Sequence, residues 1–451
     1  MNSEYIIGKT ESVCPVCLKK IPAEKVKVGN DVYMQKTCGE HGSFKTIIWR
    51  GEPDFTSWYQ VKKAEHPDVC LTQVDKGCPF DCGLCPEHRR RSCCVLLEVT
   101  QRCNLQCPVC FADAGTEGQQ DPSLADLQVQ LQTLWESAGN CNIQLSGGEP
   151  TLREDLPEII AAARAIGYTF FQLNTNGLRL SEDLNYVKAL KEAGLSTVFL
   201  QFDGTRDEIY QRIRGCSLFQ AKTRAIENCA RHNIGVVLVP TLIPGINADS
   251  VGEIIRYALQ GLPAIRGVHF QPVSYFGRYP VPPADRDRIT LPEVMAAIEA
   301  QTGGLMKIGD FAPSGCENNL CSFHGDFLLN SDGSVTPLSE KQDTCCNGRE
   351  KTAEDTVLKS QDFLRKRWAM REDTKKCCDH SGSEYQEWDK LLDQLKNQRI
   401  SISCMAFQDA ENLDLERLKD CYVHVVSKGR IIPFCAYNLS SRLGLPLYRE
   451  K

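Results

Sequence analysis

Between residues 95 and 272 the chain alternates between two hydrophobic periods. Short apolar runs rich in β-branched and aromatic residues recur at 95–100, 142–146, 169–174, 197–202, 235–242 and 267–272, the pattern of buried strands. Between them, 123–137, 156–165, 182–193, 219–232 and 250–259 carry apolar residues three and four apart, the pattern of amphipathic helices. Pro122-Ser123 and Ser181-Glu182 supply helix starts. Six strands alternating with five helices predict an α/β fold with a parallel sheet and right-handed crossovers. The sheet is either a partial (βα)6 barrel or an open doubly wound one, and in both the site lies at the C-terminal ends of the strands.

Outside this region the pattern breaks. Residues 1–66 form a small unit around a strand-like stretch at 31–36, and residues 67–94 are cysteine-dense with little helical pattern. Residues 95–310 make the α/β unit. From 311 to 451 the alternation stops, and two hairpins are predicted: 327–338, turning at Ser331-Asp332-Gly333, and 422–434, turning at Ser427-Lys428-Gly429. Cysteines surround both hairpins, which predicts a metal-dependent α+β module separate from the barrel. A chain of 451 residues is too long for one core, in keeping with several units.

Composition changes this picture mainly through the 24 cysteines. No basic-then-apolar N-terminal segment marks a secretion signal, and no run of about 18 uncharged apolar residues is present to span a membrane. A cytoplasmic, reducing compartment is expected, where disulfides are rare and short-spaced cysteines are metal ligands. So many metal centres suit an anaerobic setting. The formal charge of −6 argues against non-specific nucleic-acid binding, and Arg89-Arg90-Arg91 is too short to offset it.

Directly after the first strand comes Cys103-Asn-Leu-Gln-Cys107-Pro-Val-Cys110. Three thiolates on one loop can hold three irons of a 4Fe–4S cluster, leaving the fourth open to a ligand. At the end of the second strand stands Leu145-Ser-Gly147-Gly148-Glu149-Pro150, where glycines allow close backbone approach and Glu149 supplies a carboxylate for an ammonium group. Further polar sets follow the third and fourth strands: Asn174-Thr-Asn176-Gly177 and Asp203-Gly204. The same cysteine spacing recurs upstream in Cys78-Pro-Phe-Asp-Cys82-Gly-Leu-Cys85, with no strand before it. Cys70 could complete it as a closed auxiliary cluster; a zinc site, or Cys93 or Cys94 in place of Cys70, are the alternatives. At the N-terminus Cys14-x2-Cys17 and Cys38-x2-His41 have the spacing of a Cys3His site, suited to zinc or to a single iron.

The pair of motifs, Cys-x3-Cys-x2-Cys after strand one and Gly-Gly-Glu-Pro after strand two, resembles the radical S-adenosylmethionine (SAM) superfamily. The resemblance implies that the open iron binds the amino and carboxylate groups of SAM. Reductive cleavage of the sulfonium then yields a 5′-deoxyadenosyl radical that abstracts hydrogen from substrate. By position, Cys103, Cys107 and Cys110 would ligate the cluster, and Gly147, Gly148, Glu149 and Pro150 would meet the methionine moiety. Asn174, Asn176 and Asp203 would reach ribose or substrate. Val109 departs from the pattern, because many members carry an aromatic there beside the adenine.

Over nearly the whole chain the layout is similar to TrsS-type radical SAM (seleno)proteins and to tetraether lipid synthases. That likeness implies a further auxiliary cluster on Cys404, Cys421 and Cys435, with Cys316 or Cys321 as a fourth ligand. Two doublets, Cys345-Cys346 and Cys377-Cys378, stand outside it, and Cys378-Asp379-His380 could chelate a metal. The implied chemistry is C–C bond formation or methyl transfer on an apolar or ring substrate. The implied partners are a small-molecule or lipid-like substrate and an electron donor such as ferredoxin or flavodoxin. A peptide or protein maturase is the alternative within the class, although the N-terminal unit is too small for a peptide-docking module. A non-catalytic iron–sulfur carrier would need four protein ligands on every cluster, and a zinc-finger nucleic-acid binder is disfavoured by the acidic balance.

Overall fold

The computed structural model describes residues 4–59, 64, 66–115, 120–313, 318–338, 365, 367–370 and 395–449. Cys316, both cysteine doublets and His380 lie outside the described residues.

The N-terminal unit is a four-stranded antiparallel meander of β1 (Glu4–Val13), β2 (Lys20–Val28), β3 (Asp31–Cys38) and β4 (Gly42–Trp49), in that order. Only the stretch within β3 was legible as a strand, because it alone alternates cleanly, burying Val32, Met34, Lys36 and Cys38. The meander is clamped to the rest of the chain. Lys25 pairs with the buried Asp414 at 2.5 Å, and Asp285 Oδ1 accepts the Ile47 N–H at 2.9 Å. Arg50 Nη1 donates to Glu293 Oε1 at 2.5 Å.

All six predicted barrel strands form: β5 (Cys94–Thr100), β6 (Asn142–Gly147), β7 (Phe171–Thr175), β8 (Thr197–Gln201), β9 (Gly235–Val239) and, after the short β10 (Thr241–Leu242), β11 (Ile265–Pro272). The expected run 235–242 is split at Pro240, which has no N–H to give to a ladder. The strands pair in parallel in chain order, so the sheet is the predicted partial barrel.

The helices are α1 (Leu124–Ala138), α2 (Leu156–Ile166), α3 (Leu178–Glu182), α4 (Leu184–Ala193), α5 (Asp207–Arg214), α6 (Phe219–Arg231), α7 (Val251–Gln260) and α8 (Leu291–Gln301). Ser123 caps α1 in a capping box with Asp126. The start expected at Ser181-Glu182 is displaced: Asp183 caps α4 by accepting the Tyr186 N–H. Helix-facing strand positions, including Val95, Leu97, Ile143, Leu145, Leu173, Val198, Leu200, Val236 and Leu238, make one continuous core with the helices.

The C-terminal region corrects the expectation of a module apart from the barrel. β12 (Ala312–Pro313), β13 (Ser322–Leu329), β14 (Val335–Pro337), β15 (Arg399–Met405), β16 (Val423–Ser427) and β17 (Arg430–Pro433) all join the barrel sheet. β15 extends it in parallel beyond β11, and β16 extends it in parallel beyond β5. Both hairpins form as predicted, β13 with β14 and β16 with β17. An isolated hairpin exposes its apolar face, and docking on the barrel's two open edges buries it. Two short helices, α9 (Leu415–Lys419) and α10 (Phe434–Tyr437), flank β16 and β17. Among the described residues no helix is long and apolar enough to cross a membrane.

Candidate active site

The Cys103–Cys110 loop leaves the C-terminal end of β5 and is held from three sides. From β6, the Gly148 N–H donates to Thr100 O and the Glu149 N–H to Arg102 O, each at 2.8 Å. A Cβ on Gly147 would lie 2.1 Å from Thr100 O, and one on Gly148 2.2 Å from Arg102 O. The glycines are therefore required by the close approach of the protein's own loop. From beyond β11, Arg278 exchanges both backbone hydrogen bonds with Cys110 at 2.9 Å and donates Nε to Cys107 O at 3.0 Å. From β7, Asn176 Nδ2 donates to Asn104 Oδ1 at 2.7 Å.

The three cysteines pack together against Leu105, Tyr210 and Leu218. Burial pushes the Cys103 thiol up to about 11, so a metal must take the proton's place for it to ligate as thiolate. Two buried cations lie close by. The Arg214 guanidinium reaches Cys107, and Lys222, pushed down to about 8 by burial, donates Nζ to Asn176 O. Three thiols on one loop, Cys107 buried and Cys103 and Cys110 half-buried, with fixed positive charge beside them, fit a ligand set for an iron–sulfur cluster. Neither cation, nor Arg278, carries a motif; only its place just after the last barrel strand marks Arg278 in the sequence.

Two of the expected cofactor contacts also tie the protein's own elements together. Glu149 is 1 % exposed. Its Oε1 accepts from Thr151 N, Thr151 Oγ1 and Thr175 Oγ1, and its Oε2 accepts the Asn176 N–H at 2.7 Å. It ties the end of β6 to the end of β7, and only Oε2 keeps a lone pair for an ammonium group. Asp203 is fully buried, with both oxygens taken by Arg214 at 2.7 and 2.9 Å and by the Thr241 N–H at 3.1 Å. It holds Arg214 in place. Pro150 opens a single turn capped by Glu149.

Below the cysteine loop the barrel lumen is lined with polar side chains. Gln144 Nε2 donates to Asn174 Oδ1 at 2.7 Å, and Asn174 Nδ2 to Ser146 Oγ at 3.4 Å. His269 Nδ1 meets Ser403 Oγ at 2.9 Å. Phe199, His269 and Trp368 form a ring cluster at the floor, with Phe199 and Trp368 centroids 4.8 Å apart. Burial holds His269 down at about 4, so it is neutral. At the mouth, Tyr437, Gln101 and Arg449 all donate to Glu98.

The other predicted metal sites separate cleanly. Cys14, Cys17, Cys38 and His41 bring their donor atoms within 4.8 Å of one another, the one such group among the described residues. Cys14 Sγ and Cys38 Sγ lie 3.6 and 3.5 Å from His41 Nδ1, which fits a tetrahedral S3N site. The Cys38 thiol is lowered to about 6, first by the Glu40 N–H and then by His41.

Upstream, Cys78, Cys82 and Cys85 face one another, and Cys82 is raised by its hydrogen bond with Cys78 and by burial. Asp81, between them, shapes the loop by accepting the N–H groups of Asp75, Lys76 and Gly77. Cys70 is exposed, whereas Cys82 and Cys85 are buried and Cys78 half-buried. Cys93 packs on Tyr422, and Cys94 faces Gln144 at 3.9 Å.

In the C-terminal region the structure gathers Cys321, Cys421 and Cys435 but not Cys404. Strand alternation is the reason: Cys404 shares the core face of β15 with Ile400 and Ile402, facing away from the others.

Comparison with known proteins agrees with this geometry. The Radical SAM superfamily model matches residues 97–258, and the HMPTM N-terminal zinc ribbon domain matches residues 6–50. The 7,8-dihydro-6-hydroxymethylpterin dimethyltransferase of Methanocaldococcus jannaschii is 36 % identical over an alignment of 475 positions, covering 96 % of this chain and 94 % of that protein. The chain belongs to the radical SAM superfamily. This radical SAM enzyme is also 38 % identical to the Fe-coproporphyrin III synthase of Methanosarcina barkeri over 162 residues, 36 % of this chain and 38 % of that one. Among solved structures, Streptococcus suis SuiB bound to S-adenosylmethionine aligns with a TM-score of 0.38 at 15 % identity, over 47 % of each chain. The cofactors are accordingly a 4Fe–4S cluster and SAM, with a zinc ribbon at the N-terminus.

Proposed function

We propose that this enzyme transfers methyl groups to a reduced pterin held in the barrel lumen. The observation that carries the reading is the end-to-end similarity to the pterin dimethyltransferase, which spans the ribbon, the barrel and the C-terminal strands alike. The lumen supports it. Gln144, Asn174, Ser146, His269 and Ser403 offer amide, hydroxyl and imidazole groups to the edges of a flat nitrogen heterocycle, above the rings of Phe199 and Trp368. A lipid-like substrate would need an apolar chamber in place of these groups.

In this reading Cys103, Cys107 and Cys110 hold the catalytic cluster. When bound, cluster and SAM supply one-electron cleavage of the sulfonium and a carbon radical for hydrogen abstraction. The chain's own residues orient and shield. Gly147 and Gly148 seat the cysteine loop, Arg278 staples its far end, and Glu149 Oε2 and the β6-end carbonyls receive the methionine ammonium. Arg214 and Lys222 offset the negative charge of the thiolates. Cys78, Cys82 and Cys85 hold an auxiliary cluster; the layout likeness to TrsS-type and tetraether lipid synthase proteins supports that part of the reading. The ribbon zinc is structural, because the meander is too small to build its own core.

Anaerobic incubation of the reconstituted enzyme with excess SAM, a low-potential reductant and 7,8-dihydro-6-hydroxymethylpterin should release methionine and 5′-deoxyadenosine from one SAM, and a methylated pterin and S-adenosylhomocysteine from a second SAM that gives up its methyl group. Formation of 5′-deoxyadenosine without a methylated pterin rejects the substrate. Absence of both rejects the reaction.

A further inference from the structure

We propose that Trp368 is a specificity-determining residue: it closes the floor of the barrel lumen from the N-terminal end and so sets the depth of ligand the barrel takes. The Cys103–Cys110 loop stands at the C-terminal ends of the strands. Residues 365 and 367–370, which lie between β14 and β15 in the chain, meet the opposite end. Three contacts fix them there. Arg266, at the start of β11, donates Nε to Arg367 O at 3.1 Å and Nη1 to Lys396 O at 3.0 Å. Arg365 Nε reaches the Oδ1 of Asn142, the first residue of β6, at 3.4 Å. Arg367 pairs with the buried Asp326 of β13.

From that segment the indole of Trp368 enters the lumen. On β9, Val236 and Leu238 belong to the helix-facing core, so Val237 and Val239 point inward. Trp368, Phe199 and Val237 form one buried cluster, with Val239 packed against it. The Trp368 ring lies 4.8 Å from Phe199 and 6.4 Å from His269, centroid to centroid. The barrel leaves a gap for the segment. Gly235 opens β9, and a Cβ there would lie 2.2 Å from Trp368 O and 3.2 Å from Met370 N. A large aromatic brought in from outside the barrel, past a glycine, acts as a plug. It removes volume that a deeper ligand would fill, and it offers a flat apolar face to a ligand that stops short of it. Polar groups border that face: Asn174 pairs with Phe199 in the β7–β8 register, and the His269 ring lies 5.6 Å from Phe199. A flat heterocycle with polar edges fits such a floor, and a longer ligand collides with the indole.

The choice of ligand rests on the pterin reading, whereas the position of the indole does not. Trp368→Ala should lower the melting temperature of the reconstituted full chain by roughly 5 °C. Added indole should recover most of that loss and leave wild type unchanged, because a ring-sized apolar cavity binds a small aromatic. A variant that indole does not stabilise overturns the plug. If Trp368→Ala does not fold, Trp368→Leu is read with benzene in place of indole. Selectivity is measured by competing 7,8-dihydro-6-hydroxymethylpterin against a 7,8-dihydropterin with a phenyl group at the same position. Trp368→Ala should raise the relative kcat/KM for the phenyl compound roughly tenfold, while Trp368→Phe, which keeps a ring in the floor, should move it far less. An unchanged ratio in a variant that binds indole overturns the specificity role. If wild type methylates no pterin, the pterin reading fails, while indole binding still confirms or overturns the depth limit.

Discussion

The chain writes Cys-x3-Cys-x2-Cys twice, and the two copies fold into different environments. The copy at Cys103–Cys110 hangs from a strand end, rests on Gly147 and Gly148, and is held at its far end by Arg278. The copy at Cys78–Cys85 lies in coil and is covered from behind: Tyr448 Oη accepts the Cys82 N–H at 2.9 Å and donates to Pro79 O at 2.7 Å. Equal spacing gives both loops the reach to hold three irons. The difference between them is one of packing, not of ligand chemistry.

The sharpest way to break that comparison is to remove one copy at a time. A Cys103/Cys107/Cys110 triple alanine variant should lose about four irons, all SAM binding and all 5′-deoxyadenosine formation. The matching Cys78/Cys82/Cys85 variant should lose as much iron yet still bind SAM, read by equilibrium dialysis. Equal loss of SAM binding in both would erase the distinction.

Next in size is the charge frame behind the catalytic copy. Asp203→Asn leaves Arg214 buried without its anion and should cost about 3–5 kcal/mol in chemical denaturation. A change confined to SAM or substrate affinity, with stability intact, would restore Asp203 as a ligand contact.

A subtler pair compares the glycines under the two loops. Gly148→Ala drives a Cβ to 2.2 Å from the backbone oxygen of Arg102, which cannot yield without moving the cysteine loop. It should cost about 3 kcal/mol and weaken SAM binding. Gly83→Ala in the other copy meets the Thr72 side chain at 2.5 Å, which can rotate, and should cost about 1 kcal/mol with SAM binding unchanged.

The smallest effect is on acid stability. His88 and His424, behind the upstream copy, form a buried pair at 3.1 Å, and His269 lies in the lumen. Burial holds His88 and His269 down at about 4 and His424 well below its ordinary value. Unfolded, these imidazoles take up protons near pH 6.5, so the unfolded state binds more protons across that window. Stability should be full above pH 6.5 and fall as pH drops toward 4. His269→Gln should flatten part of that slope in denaturant titrations; an unchanged slope would show that His269 does not contribute.

How far the sequence was legible follows from the range of the interactions involved. Each barrel strand was visible because a buried strand writes its own apolar run, and the Cys103–Cys110 and Cys78–Cys85 loops were visible because all their ligands sit within eight residues of chain. The ribbon's ligands were visible as two short pairs, although its strands β1, β2 and β4 were not, since their solvent faces and polar registers blur the alternation. Glu149 was found by its motif, but its four hydrogen-bond donors come from two strand ends that only the sheet brings together.

By itself, then, the sequence determined the parallel α/β barrel, the two cysteine loops and the ribbon's donor set. Local periodicity and short spacing specify those without reference to distant residues. Only the tertiary structure decided that β15 and β16 close over the barrel's two edges, that Arg214 claims Asp203, and that Cys321, not Cys404, stands with Cys421 and Cys435. Those choices depend on strand register and on which side chains share a buried charge. Both are set by packing between segments tens to hundreds of residues apart, where spacing along the chain no longer measures distance.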